Sequence, residues 1–113
     1  MNIELASRQL EAIGNATRLT IYRTLVRAGE NGLAVGQLQE RLNMPASTLS
    51  HHLKRLVDTG LVRQERSGTS LICHAEYPAM KALLGFLADE CCADERQGNA
   101  KSAPEAASSD TAA

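Results

Sequence analysis

Aromatic residues are scarce in this 113-residue chain, which has one phenylalanine, two tyrosines and no tryptophan. A core must then be packed from Leu, Ile, Val and Ala, and a chain this short forms one domain at most. Small helical domains with thin cores commonly complete them by dimerising. Cysteine is scarce too: Cys73, Cys91 and Cys92 are the whole set, an odd number that closes no disulfide framework. That usage points to a compartment where thiols stay reduced. No run approaches the roughly 20 apolar residues that span a bilayer. The opening "MNIELASRQL" is amphipathic and carries Glu4, unlike a signal peptide with its basic start and apolar middle. A cytoplasmic protein with no membrane partner is expected. Excess positive charge is also missing, and a net charge of −1 argues against binding to nucleic acid by bulk attraction.

The charge that is present is unevenly placed. Residues 44–74 carry Lys54, Arg55, Arg63 and Arg66 against Asp58 and Glu65, a balance of +2 before the histidines are counted. Residues 75–113 carry a balance of −4. A basic middle and an acidic end fit a polyanion-binding face on one side, although ordinary surface charge accounts for the counts equally well.

Hydrophobic periodicity supplies the elements. Ile3, Ala6, Leu10 and Ile13 recur at helical spacing and predict a helix over 2–13. A second helix is expected over about 17–28, with Leu19, Ile21, Tyr22, Leu25 and Val26 inward, ended by "GENG". A third covers 34–43, "NMPA" makes a tight turn with Pro45 at the first helical position, and a fourth covers about 46–59. Gly60 ends the fourth as a left-handed cap. The period then changes to two short strands, 61–66 and 69–75, joined by Ser67-Gly68 as a hairpin. A fifth helix is expected over about 78–92, with Met80, Leu83, Leu84, Leu87 and Cys91 on one stripe. Beyond residue 93 the polar composition predicts a disordered tail, so the chain divides into a domain at 1–93 and a tail at 94–113. The fold class is mainly α with a small hairpin, α1-α2-α3-α4-β-β-α5, a winged helix-turn-helix.

Leu38, Leu42, Leu49, Leu53 and Leu56 are spaced to pack the third and fourth helices together. Ser47, Thr48, Ser50, His51, Lys54 and Arg55 are left outward or along the edges. Small hydroxyls near a helix N-terminus and longer donors further along suit a helix that enters the major groove. Arg66 and Thr69 flank the hairpin tip, within reach of an adjacent phosphate or the minor groove. A merely solvated helix would carry several carboxylates on its outer face, and between Ala46 and Val57 there are none. A winged helix that binds protein would present an apolar outer face, and this one is polar. His51 and His52 diverge by about 100° on a helix, which disfavours a shared ligand. His51 reads as a DNA contact and His52 as partly packed.

The stretches "AIGNATRLTIYRTLV" and "STLSHHLKRLVDTGLVRQERSGTS" resemble the ArsR/SmtB family of bacterial metal-responsive repressors, a similarity covering about residues 3–92. The resemblance implies a homodimer joined by the first and last helices, with the fourth helix in the major groove and the hairpin as the wing. It implies an apo dimer on a palindromic double-stranded operator, needing no cofactor to bind, and released by an inducer. One family site uses Cys-x-Cys at the start of the third helix, where this chain has "LAVGQLQE". Another uses Asp and His between the last helices, and residues 75–93 contain no His. The pair Cys91-Cys92 resembles the arsenic-responsive branch with vicinal cysteines ending the last helix.

That resemblance implies trivalent arsenic or antimony as inducer, and the chemistry agrees, since thiolates select thiophilic ions. Neighbouring Cα atoms lie about 3.8 Å apart, below the usual disulfide span, so the pair resists closing on itself. A fraying last turn would let both sulfurs face one ion. Asp89, Glu90, Asp94 and Glu95 should raise the thiol pKa. Cys73 alternates with Leu71 and Ala75 and reads as a buried apolar residue or else a third ligand. Two sulfurs suit a monosubstituted organoarsenical at least as well as arsenite, and the tail lacks the third cysteine of some relatives. The same pair also suits a redox or reactive-sulfur sensor on the same fold. A thiol enzyme is not expected, since no Cys-x-x-Cys and no catalytic Cys–His pair is evident.

Overall fold

The computed structural model describes residues 1–98. Its helices are α1 (Ile3–Ile13), α2 (Ala16–Ala28), α3 (Val35–Leu42), α4 (Ala46–Asp58), α5 (Tyr77–Ala88) and α6 (Ala93–Gly98). Three strands, β1 (Leu33–Ala34), β2 (Val62–Ser67) and β3 (Ser70–Ala75), form one antiparallel sheet in the order β1-β3-β2. Asn2 and Asn15 cap α1 and α2 by accepting from the N–H groups of Leu5 and Arg18. The core joins Ile21 and Leu25 of α2, Leu38 of α3, Leu49, Leu53 and Leu56 of α4, and Leu61, Val62 and Cys73 of the sheet. Leu42 is only partly buried.

The winged helix-turn-helix expected from the periodicity is present. Asn43 ends α3 in the left-handed region, and Pro45 stands one position earlier than expected, as the residue before α4 begins. Gly60, at φ 81°, reverses the chain after α4; its N–H and that of Leu61 donate to the carbonyls of Val57 and Leu56. This turn aims β2 back along α4 and sets the wing beside it.

Four details differ from the sequence expectation. On α1 the buried residues are Ala6, Gln9 and Ala12, while Ile3 (69% exposed) and Leu10 of the predicted stripe face outward. On α2 the buried position is Arg18 rather than Leu19. β1 has no counterpart in the predicted elements, because two residues show no period. It lies against β3 with Leu33 opposite Cys73, where a Cβ on Gly32 would come within 2.5 Å of the Cys73 carbonyl oxygen. Finally, α5 stops at Ala88, four residues before the predicted end, and α6 follows where the tail was expected to begin. Asp94 and Glu95 in its first turn favour α6 through the helix dipole. The rest of the predicted tail, from residue 99, lies outside the described residues.

Candidate nucleic-acid interface and the cysteine turn

Burial of Leu49, Leu53 and Leu56 fixes the roll of α4 and so decides which side chains face out. Ser47, Thr48, Ser50, His51 and Lys54 are exposed. Ser50 and Lys54 join Arg66 and Thr69 of the wing in lining an open groove of about 1440 Å³ between α3, α4 and the hairpin. Ser47, Thr48 and His51 do not line it. Gln37, Gln39 and Glu40 of α3 and Gln64 of β2 also line the groove. The sequence reading missed these four; for Gln37, Gln39 and Glu40 the signal was the polar side of α3 opposite Leu38. Lys54 lies 3.3 Å from Asp58, but both are exposed, so the pair contributes little and leaves the ammonium usable. Arg66 has no ion pair among the described residues.

Arg55 behaves differently from the other predicted contacts. It is half-buried and its Nη2 donates to Glu11 Oε2 at 3.0 Å, tying α4 to α1. Gln9, buried on α1, makes a second tie by donating through Nε2 to the Thr59 carbonyl at 2.9 Å. His52 is half-buried, as expected. Burial pushes its pKa down, and the positive charges of Arg18, then His51, then Arg55 add to the effect.

Cys91 and Cys92 lie in the turn between α5 and α6 rather than on a helix. Cys92 has φ 60°, which breaks the helical course and swings the two side chains together. Both thiols are exposed, and their sulfurs stand 3.4 Å apart. Arg96 Nη1 donates to the Cys91 carbonyl at 2.6 Å and braces the turn. The Cys92 thiol pKa is raised, first by its hydrogen bond and charge interaction with Cys91, then by burial, then by Glu95; Arg96 opposes the shift. The direction matches the sequence expectation, but the neighbouring thiol outweighs the carboxylates. Cys73 is fully buried in β3, accepts from Gln64 Nε2 at 3.5 Å, and is pushed up in pKa by burial. It packs as an apolar residue of the core.

A four-leucine seam between two turn-linked helices, a polar outer helix and a flanking wing define a DNA-binding winged helix-turn-helix. Residues 13–65 match a family model described as a helix-turn-helix domain. The chain is 33% identical over 86 residues to the nodulation protein NolR of Rhizobium meliloti, spanning 76% of this chain and 68% of that one. An ArsR-like regulator from Rhodococcus superposes with a TM-score of 0.74 at 21% identity, covering 86% of this chain and 89% of that one. A homodimeric winged helix-turn-helix domain of Mycobacterium bovis, described as a possible ArsR-family regulator, superposes at 0.61 with 27% identity. That match covers 79% of this chain and 82% of the other. The chain belongs to the ArsR family of DNA-binding transcriptional regulators, which are not enzymes. Among the described residues, no helix is long and apolar enough to cross a membrane.

Proposed function

We propose that this regulator is a metalloid-responsive repressor that sits on a palindromic operator as an apo dimer and leaves it when trivalent arsenic or antimony binds Cys91 and Cys92. The observation that carries the reading is the sulfur separation. Two bonds of about 2.3 Å, a typical metal–thiolate length, meeting at an angle a little above 90° span about 3.4 Å. The turn at Cys92 holds its sulfur at that distance from Cys91, so little ordering is left to be done on capture. On capture each new pnictogen–sulfur bond replaces a pnictogen–hydroxyl bond, and the two thiol protons leave with the displaced hydroxides as two waters, with no change of oxidation state. Because Cys73 is sealed in the core, the clasp offers two sulfurs, which suits an arsenical whose third valence is already carbon.

In this reading Ser47, Thr48, Ser50, His51 and Lys54 meet the major groove, with Arg66 and Thr69 on the flanking backbone. Arg55 acts from behind, as a brace to α1. The dimer forms through α1 and α5, whose Ile3, Leu10, Leu84 and Leu87 are exposed in the single chain. A change at the end of α5 reaches α1, which packs against it, and passes to α4 through Gln9 and Glu11. Couplings of this kind are typically about 1–3 kcal/mol, or about 5–150-fold in DNA affinity.

The test is fluorescence anisotropy on a palindromic upstream fragment, titrated with arsenite and with a phenylarsenical. Cys91→Ser and Cys92→Ser should stay bound at concentrations that release the wild type and Cys73→Ser. Normal release of the first two variants would refute the site. Release by peroxide or polysulfide with indifference to arsenicals would make the pair a redox or reactive-sulfur sensor.

A further inference from the structure

We propose that Arg18 and His52 are a positioning pair for the DNA-contacting helix, and that protonation of His52 loosens α4 and weakens DNA binding as the pH falls. This rests on the family's DNA binding and not on the arsenic reading. Arg18 is only 7% exposed and has no carboxylate partner among the described residues. A guanidinium so buried needs other acceptors. It finds one at each end: Nε donates to the Ala12 carbonyl in the last turn of α1, and Nη1 lies 3.4 Å from His52 Nδ1 on α4. The α1 carbonyl sits at the negative end of that helix dipole, which suits a cation. Asn15 fixes the base of the same side chain by accepting from the Arg18 N–H. One residue of α2 therefore grips the end of α1 and the middle of α4.

The donor inventory gives this contact its pH sense. Arginine has five N–H donors and no acceptor, so His52 Nδ1 must be the acceptor, with the imidazole neutral and its proton on Nε2. Protonation turns Nδ1 into a donor, and the contact becomes two donors and two cations facing each other. The surroundings offer little compensation. Arg18 faces His52 from α2, His51 and Arg55 flank it on α4, and the Glu11 carboxylate on α1 is held by Arg55. His51, whose ring centroid is 5.6 Å from that of His52, points outward on the exposed side of α4.

The experiment measures affinity for the palindromic upstream fragment at pH 7.5 and 5.5 and constant ionic strength, for wild type and His52→Gln. Glutamine keeps an oxygen acceptor for Arg18 and does not titrate. Wild type should weaken by about five- to twentyfold at the lower pH, and His52→Gln should weaken less than about twofold. Equal pH responses of wild type and His52→Gln, or tighter wild-type binding at pH 5.5, would overturn the proposal. Imidazole ¹⁵N spectra of the wild type supply a second readout that needs no variant to fold. His52 should be the Nε2–H tautomer at pH 7.5, and a protonated Nδ1 there would equally overturn it.

Discussion

At the scale of single residues, the cysteine turn and the α1–α2 corner show what a pattern of residue types can and cannot reveal. The identity of Cys91 and Cys92 as the chemically distinctive pair was legible, because two adjacent thiols stand out in a chain with three. Their 3.4 Å approach was not, since a non-glycine residue at φ 60° leaves no mark on the sequence. At Leu10 and Leu19 the apolar side chains face out, and the polar neighbours Gln9 and Arg18 are buried. Gln9 Nε2 and Arg18 Nε each have a specific backbone acceptor, which a hydrophobicity pattern does not encode. The raised pKa of Cys92 carries its own prediction. A thiol pushed upward holds less thiolate at neutral pH, so alkylation of Cys92 by iodoacetamide should be slower than that of a free cysteine at pH 7. The rate should climb about tenfold per pH unit until the thiol pKa is passed. Peptide mass spectrometry of timed quenches reads it directly, and a rate already flat at pH 7 contradicts the shift.

Among the elements, those with a long period were legible and those without one were not. α2, α3 and α4 appear within a residue or so of their expected bounds because leucines repeat across several turns. β1 is two residues long and exists only because Gly32 lets the chain lie against Cys73 and His74. The break between α5 and α6 was likewise invisible, as nothing in "ADECCADE" is a helix breaker by composition. The ties between elements matter most for α4, which carries the residues proposed to face DNA; among the described residues, side-chain bonds of Gln9, to the Thr59 carbonyl at its end, and of Arg55 join it to α1. Gln9→Ala removes the buried one and leaves the Thr59 carbonyl without its donor. Stability should fall by about 1–3 kcal/mol in urea unfolding, the usual cost of an orphaned buried group. If α1 sets the angle of α4, DNA affinity of the folded variant should also fall several-fold. Unchanged affinity alongside reduced stability would make Gln9 a packing residue only.

For the molecule as a whole, the low aromatic content and the exposed apolar residues tell one story. The core of the single chain closes around α2, α3, α4 and the sheet, while α5 contributes Leu83 and leaves Leu84 and Leu87 each 57% exposed. Ile3 and Leu10 of α1 are exposed as well. The expectation of a thin core was thus legible from composition, but which helices stay uncovered required the packing of α1 to be seen. Burying a leucine fully stabilises by about 1.5–3 kcal/mol, so two pairs of such leucines across a twofold axis supply a large part of a dimer's free energy. The double variant Leu84→Glu with Leu87→Glu places four carboxylates in that proposed interface and changes only exposed side chains. It should sediment as a monomer while keeping its helical circular dichroism. Its affinity for the palindromic fragment should drop by at least about tenfold, since a monomer holds only one half-site. A variant that sediments as a dimer and binds the fragment normally would move the interface elsewhere on the surface. The route by which the cysteine turn is proposed to reach the DNA would then have to be redrawn, because it relies on α5 lying between the two protomers.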